Sequence, residues 1–202
     1  MLQTIADDLW GRPSLAYHVQ PDLHPDTQAA LESLQGAITE RWPVPLHLCP
    51  RDRLHVTIYA LVPVKGAFDK ESYWHRISEP SRALLTRLCS GHDPFKLRFS
   101  RIKVTDSAII AVAEDETGLI DAIRRQIAEV IPPPPGQRPL RYNLIHSTLA
   151  RYRSSQPVSK AIVEAIETLP VSIVAPVERI KIVRETLFPC LVMDEIVSFP
   201  LR

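Results

Sequence analysis

Two short segments of the chain carry the same pattern, and this duplication constrains the fold more than any other feature. Residues 55–57 read His-Val-Thr within RLHVTIYALV, and residues 146–148 read His-Ser-Thr within NLIHSTLARY. In both, apolar residues alternate with the motif residues, which predicts β-strands. Side chains two apart on a strand point to the same face, so each motif offers one imidazole and one hydroxyl side by side. The four side chains concerned are His55, Thr57, His146 and Thr148.

The second copy matters because one copy alone carries little information. In a chain with seven histidines, a single His-x-Ser/Thr triplet is expected about once by chance. One such histidine is most simply a half-buried strand residue bonded to nearby backbone. Two copies in matching apolar runs instead favour one shared site, with the motifs facing each other across a cleft.

The surroundings of the two motifs are duplicated as well. Amphipathic helices are predicted to begin at Asp26 and at Thr117, and 117 − 26 = 91 equals 146 − 55 = 91, the separation of the two motif histidines. A strand candidate precedes each helix, SLAYHVQ from Ser14 and SAIIAVA from Ser107. Each half of the chain therefore reads strand, helix, motif strand.

Further elements follow each motif. The periodicity predicts a helix over 71–88 interrupted at Pro80, a strand over 95–104 with a bulge at Ser100-Arg101, a helix over 157–169, and strands near 177–183 and 190–199. We therefore predict an α+β fold for residues 1–202, a single domain of two pseudo-symmetric lobes. Each lobe is expected to be a mostly antiparallel sheet with outer helices, and the motif strands should line the central cleft between them.

Composition narrows the possible functions. The chain is 45% hydrophobic, no apolar run reaches membrane-spanning length, and MLQTIADDLW carries acids where a signal peptide carries bases. We expect a cytoplasmic protein that is monomeric and does not contact a membrane. The three cysteines have no paired spacing, so each is expected to be a small core or surface thiol. The net charge of +1 provides no attraction to long nucleic acid, so a nucleic-acid substrate should be short or held at one end.

The residues at the two motifs fit the opening of a cyclic phosphodiester. Attacking water must lose a proton, the leaving sugar oxygen must gain one, and the charged oxygens need donors. A neutral imidazole, an imidazolium and two hydroxyls meet those needs, since the ordinary pKa of histidine, near 6.5, lets both forms coexist. No metal and no other cofactor is expected, because the chain has no His-x-His, His-x-x-x-His or Asp-rich run.

Aromatic residues near the motifs could hold a base. Tyr59 lies two residues beyond Thr57, and Tyr152 is in phase with His146 if that strand extends so far, so both are candidate substrate-binding residues. Packing between the lobes is the alternative for each. In the first strand, Tyr17 and His18 are each a candidate to face the cleft.

The segment VIPPPPGQRPLRYN leads into the second motif. Its consecutive prolines exclude helix and predict a stiff surface connection. A functional alternative is a lid bent at Gly136 that brings Arg138 and Arg141 to a phosphate.

The two motifs, Leu-His-Val-Thr-Ile at 54–58 and Ile-His-Ser-Thr-Leu at 145–149, resemble those of the two-histidine (2H) phosphoesterase superfamily. This LigT-like group includes 2′,3′-cyclic phosphodiesterases and RNA 2′-5′ ligases. The resemblance implies a metal-free site with His55 and His146 as the catalytic pair and Thr57 and Thr148 as phosphate-binding hydroxyls. It also favours His146 as base and His55 as acid.

Many members of that group carry Thr-Leu-Ala-Arg in the second motif, as this chain does at 148–151. Arg151 is therefore a candidate substrate-binding residue, although strict strand alternation would turn it away from the cleft. The function favoured is metal-independent hydrolysis of a 2′,3′-cyclic phosphate on a nucleotide or RNA end. RNA 2′-5′ ligation and non-catalytic binding of nucleotides or RNA ends are the alternatives.

Overall fold

The computed structural model describes residues 1–202, which form four helices, one 3₁₀ turn and eleven strands. The helices are α1 (Pro25–Thr39), α2 (Lys70–Ser90), α3 (Leu119–Val130) and α4 (Lys160–Glu167), and the 3₁₀ turn is Arg51–Arg53. The strands are β1 (Leu2–Gln3), β2 (Pro13–Pro21), β3 (Leu46–Leu48), β4 (Tyr59–Val62), β5 (Phe95–Val104), β6 (Ala108–Asp115), β7 (Ile145–Tyr152), β8 (Pro157–Val158), β9 (Ile173–Val177), β10 (Arg179–Leu187) and β11 (Val192–Pro200).

Two antiparallel sheets form the two lobes. The first has the order β11-β10-β2-β4 and the second the order β3-β7-β6-β5-β9, while β1 and β8 form a separate small pair. The predicted α+β class with mostly antiparallel sheets is confirmed. The two lobes do not correspond to two consecutive halves of the chain. β3 and β5 cross into the second sheet, and β10 returns from the C-terminal part to pair with β2.

Local sequence explains most of these elements. In β5, buried and exposed residues alternate until the register shifts between Phe99 and Arg101, which is the predicted bulge. The predicted interruption of the second helix is wrong, because α2 continues through Pro80. Buried residues on both sides of that proline, including Ile77 and Leu84, anchor the helix on the core and outweigh the missing backbone bond.

The two motif segments differ in regularity. The second lies within β7, as predicted, but the first precedes β4 as an extended segment that pairs with the second sheet through a single bridge, between Val56 and Ser147. A bend at Ile58, whose amide bonds the carbonyl of Val19 at 2.8 Å, ends this segment before the regular strand begins. The first motif is therefore held between the two sheets rather than inside one of them.

One hydrophobic core of 44 buried residues includes side chains from both sheets and all four helices. On the outer side of the first sheet, Tyr17 stacks on Trp74 of α2 with ring centroids 3.9 Å apart. Because neighbours on a strand alternate, His18 points to the inner side, which decides between these two candidates. None of the helices combines the length and hydrophobicity needed to span a bilayer.

Candidate active site

The bridge between Val56 and Ser147 sets the geometry of the candidate site. The bridge is antiparallel, so the residue before Val56 lies opposite the residue after Ser147. In the same way, the residue after Val56 lies opposite the residue before Ser147. His55 therefore lies across from Thr148, and Thr57 across from His146. Val56 and Ser147 are fully buried and point to the other side.

The four motif side chains thus share one face and are all partly exposed: His55, Thr57, His146 and Thr148. Directly opposite residues on an antiparallel pair have Cβ atoms about 4.5–5.5 Å apart, and diagonal neighbours are separated by about 7–8 Å. The two histidines form one diagonal pair and the two threonines the other. This spacing leaves room for one tetrahedral anion between two imidazoles and two hydroxyls.

The environment of His55 fixes its tautomer and its charge. Nδ1 donates to the carbonyl oxygen of Arg53 at 2.7 Å, which leaves Nε2 for a ligand. The pKa of His55 is lowered to about 4. Burial is the main cause and the nearby His18 and His146 add to it, while that backbone bond and Glu185 act in the opposite direction. His55 is therefore neutral in the free protein near neutral pH, with the Nε2 lone pair available as a base.

His146 also has a lowered pKa. Burial is the main cause, and the positive charges of Arg124 and Arg151 add to it. A bound phosphate would act in the opposite direction on both histidines, since an anion between them favours their charged forms. Binding of an anion should therefore be accompanied by proton uptake at these histidines.

Arg124 connects the two motif segments, and the sequence analysis missed it. Its Nε donates to the carbonyl of Ile58 at 3.0 Å and its Nη2 to the carbonyl of Leu144 at 2.8 Å. Ile58 follows the first motif directly, and Leu144 precedes the second by two residues. The guanidinium also lies over the ring of Tyr142, 4.8 Å from its centroid. A signal was present in the sequence, because Arg124 occurs on the buried face of α3 beside Ile123.

Tyr142 makes a further tie to the first segment. Its hydroxyl accepts a hydrogen bond from the amide of Ala60 at 2.7 Å. Arg124 and Tyr142 also line an open groove of about 510 Å³ on the second lobe. Both residues thus connect the wall of this groove to the motif segments.

Arg151 shares the face of the second motif, contrary to strict alternation. Thr148 pairs with Ile110 but Ala150 pairs with Ile109, so Leu149 is an extra residue in β7. This bulge returns the next side chain, Arg151, to the face of Thr148. The guanidinium forms an ion pair with Asp7 at 3.2 Å.

The same bulge turns Tyr152 the other way, so the expectation that it stays in phase with His146 is wrong. Its ring is buried, stacks on Trp42 with centroids 5.2 Å apart, and its hydroxyl donates to the carbonyl of Thr105 at 2.8 Å. Tyr152 is a core residue and offers no face to a base.

Tyr59 is also removed from the motif face. The bend at Ile58 breaks the alternation, and Tyr59 pairs with Val19, which lies on the outer side of the first sheet. Its ring is buried against Tyr142, with centroids 5.3 Å apart. Tyr59 and Tyr152 therefore both pack in the interior, which was the alternative to binding a base.

The proline-rich segment packs over this region at one end. The hydroxyl of Tyr73 donates to the carbonyl of Pro132 at 2.7 Å. Gly136 has a positive φ of 73° and supplies the expected bend. Arg138 and Arg141 are both exposed. Closure of this segment over a phosphate stays a prediction.

Comparison with known proteins identifies the family. The sequence pattern of the 2′-5′ RNA ligase superfamily matches residues 47–187, which are 187 − 47 + 1 = 141 of the 202 residues and include both motifs. The chain belongs to this superfamily. No curated protein sequence matches the chain.

Solved structures share the fold over nearly the whole length. The TT0787 protein of Thermus thermophilus is 25% identical, with a TM-score of 0.65 and coverage of 93% of this chain and 98% of its own. E. coli LigT complexed with NADP⁺ is 16% identical, with a TM-score of 0.62 and coverage of 94% and 98%. E. coli LigT complexed with 3′-AMP has a TM-score of 0.61 at 16% identity and coverage of 94% and 99%. The likeness to LigT shows a common fold.

Proposed function

We propose that this member of the superfamily is a metal-independent phosphodiesterase that opens a 2′,3′-cyclic phosphate on a nucleotide or RNA end. One observation carries the proposal. The antiparallel bridge between Val56 and Ser147 gives two imidazoles and two hydroxyls a common face. Those groups match the demands of cyclic phosphodiester hydrolysis one for one.

The reaction follows from these groups. A neutral imidazole takes a proton from water as its oxygen attacks phosphorus. The bond from phosphorus to one ribose oxygen breaks, and an imidazolium on the other side donates a proton to that oxygen. Thr57 and Thr148 donate hydrogen bonds to the non-bridging oxygens, where charge is concentrated. Proton exchange with solvent then restores both histidines.

The free protein favours one distribution of the two roles. His55 has the more strongly lowered pKa, and its Nε2 lone pair is directed by the bond from Nδ1 to Arg53. This favours His55 as the neutral base and His146 as the acid, opposite to the distribution that the family resemblance suggests. The positive charges of Arg124 and Arg151 make His146 a stronger acid once it is protonated.

Ligands of the structural neighbours agree with a nucleotide substrate. E. coli LigT has been crystallised with 3′-AMP, with phosphate and with ATP. A phosphate on the ribose 3′-oxygen is one of the two products that opening a 2′,3′-cyclic phosphate can give. Arg151 is proposed as a further phosphate contact, because the bulge in β7 returns it to the motif face.

The experiment is incubation of the pure protein with the four 2′,3′-cyclic nucleotides, with and without EDTA, followed by separation of the products. We expect nucleoside monophosphate from at least one of them at a rate that EDTA does not change. Both His55→Ala and His146→Ala should lose this activity, while His75→Ala, at an exposed histidine on α2, should keep it. Turnover that depends on added metal, or that survives both substitutions at the motifs, contradicts the proposal.

RNA 2′-5′ ligation is the second candidate, favoured by the superfamily whose pattern matches the chain. The same site would then activate the 5′-hydroxyl of a second RNA in place of water. That oxygen would bond to phosphorus while the bond to the ribose 3′-oxygen breaks. Incubation of an RNA ending in a 2′,3′-cyclic phosphate with one beginning in a 5′-hydroxyl distinguishes the two. A longer RNA with a 2′-5′ linkage indicates ligation, and an opened phosphate at unchanged length indicates hydrolysis.

A further inference from the structure

A second group of reactive side chains lies on the inner side of the first sheet. His18 of β2 and Glu185 of β10 meet there, with Nε2 of the imidazole donating to Oε2 of the carboxylate at 2.9 Å. Cys190, in the turn between β10 and β11, donates from its sulfur to the same oxygen at 3.2 Å. The three residues are 7%, 2% and 2% exposed, respectively. One donor atom from each lies within 4.8 Å of the other two.

Unpartnered polar atoms surround this group. Gln20 is fully buried, its Nε2 lies 3.8 Å from the sulfur of Cys190, and its Oε1 has no hydrogen-bond partner. Nδ1 of His18 is likewise buried without a partner. Buried polar atoms without partners are uncommon in folded proteins and call for an explanation. A half-turn of the Gln20 amide exchanges its two ends and directs Oε1 toward the sulfur.

The backbone at Cys190 is unusual as well. Its φ is 54°, in the left-handed region that residues other than glycine seldom adopt. Such conformations persist where the surrounding structure holds them, and they are frequent at ligand sites. Here the conformation accompanies a thiol held at hydrogen-bond distance from a buried carboxylate.

We propose that His18, Glu185 and Cys190 form a binding site for a zinc ion, with the amide oxygen of Gln20 as the fourth ligand. The proposed reaction assigns no role to these four side chains, although His18 and Glu185 lie close enough to His55 to act on its charge. Nitrogen, sulfur and oxygen donors in a group of four are typical of zinc. Zinc bonds of about 2.0–2.3 Å place neighbouring ligand atoms about 3.3–3.8 Å apart. The observed separations of 2.9 and 3.2 Å would therefore widen by a few tenths of an ångström. The separation of the imidazole nitrogen from the sulfur is at most 4.8 Å and would have to settle at about 3.5 Å.

Charge balance supports a divalent ion at this place. Binding requires Cys190 to release its thiol proton to solvent and His18 to offer a nitrogen lone pair. One thiolate and the Glu185 carboxylate then cancel the two positive charges of zinc, so the buried site is neutral overall. Calcium and magnesium prefer oxygen ligands alone and fit these donors poorly.

Cobalt(II) is the probe, because a bond from thiolate to this ion gives a near-ultraviolet charge-transfer absorption that needs no catalytic activity. We expect the full-length protein, stripped with EDTA, to bind one Co²⁺ per chain with this absorption and to lose it when Zn²⁺ is added. Cys190→Ser should abolish the charge-transfer band, and Glu185→Gln should weaken metal binding at least tenfold.

Two controls separate the site from nonspecific binding. Cys89→Ser removes a buried cysteine of α2 outside the group, and Ser14→Ala removes a hydroxyl that bonds Glu185 Oε1 at 2.8 Å but no proposed ligand. Both should keep the absorption. Circular dichroism of each variant verifies the fold, and His18→Gln provides a second test if Cys190→Ser does not fold. Absence of the band in the parent protein, or its persistence in folded Cys190→Ser, overturns the proposal. If Cys190→Ser does not fold, an unchanged affinity of His18→Gln for Co²⁺ overturns it.

Discussion

Replacement of Arg124 by methionine tests how the two motif segments are held together. Arg124 is 8% exposed, and its guanidinium satisfies the carbonyls of Ile58 and Leu144. Its ion pair with Asp121 contributes little, since that carboxylate is 75% exposed. Methionine retains most of the apolar contact with Tyr142 but leaves both carbonyls without this donor.

The magnitude follows from those two bonds. An unsatisfied buried carbonyl costs about 1–3 kcal/mol, and the adjoining groove admits water, which favours the lower part of that range. We therefore expect a loss of about 3 kcal/mol in the free energy of unfolding. For a chain of 202 residues this corresponds to a decrease in Tm of roughly 6–12 °C.

Activity should fall further than stability alone explains. A displacement of about 1 Å between reacting groups can cost about 100-fold in rate, so we expect a lower kcat in Arg124→Met at temperatures where the variant is folded. Loss of the positive charge should also raise the pKa of His146, which NMR titration can measure.

Thermal unfolding and turnover of Arg124→Met are to be compared with Arg125→Met, a change at the neighbouring exposed position. A variant of Arg124 as stable and as active as that of Arg125 would refute the reasoning. It would mean that the desolvation cost of the buried guanidinium equals what its hydrogen bonds contribute.

Other predictions concern the motif residues themselves. Ala in place of His55 or His146 should lower kcat by on the order of 10² to 10⁴, whereas Thr57→Ala and Thr148→Ala should each cost on the order of 1.5–3 kcal/mol in kcat/KM, as measured by steady-state kinetics. The plot of kcat/KM against pH should be bell-shaped with its optimum below pH 6.5, because both histidines have lowered pKa values in the free protein; a rate that rises continuously with pH contradicts this. Stability should depend on His55 as well. Its folded pKa of about 4 lies below the unfolded value of about 6.5, so the unfolded chain binds the extra proton between these pH values and stability falls as the pH drops from 6.5 to 4. Partial exposure reduces the full effect to roughly 2–3 kcal/mol, and urea unfolding of His55→Gln should show a pH dependence smaller by that amount, whereas His75→Gln should match the parent protein.

Alternation and helical periodicity were sufficient to predict the class of fold and the grouping of the motif residues. They failed where the backbone departs from regularity. Leu149 is an extra residue in β7, and this single insertion exchanged the expected faces of Arg151 and Tyr152. The bend at Ile58 did the same to Tyr59. Neither irregularity is marked by a glycine or proline, so the sequence offered no local signal for them.

Contacts between distant parts of the chain were the other features that could not be predicted. The bonds of Arg124 to two carbonyls depend on how α3 lies between the motif segments. The meeting of His18 with Glu185 depends on β10 returning to pair with β2 across more than half of the chain. Ligand spacings in sequence detect groups of side chains built from one segment, so they could not reveal that His18 meets Glu185 and Cys190.

The central claim is that one phosphate lies between the two motifs, and a crystal structure of the protein with a bound nucleoside 3′-monophosphate tests it most directly. The account predicts the phosphorus between the imidazoles, with Nε2 of His55 and His146 and Oγ1 of Thr57 and Thr148 all within hydrogen-bond distance of phosphate oxygens. A phosphate bound elsewhere, or one that contacts only one of the two motifs, would contradict it.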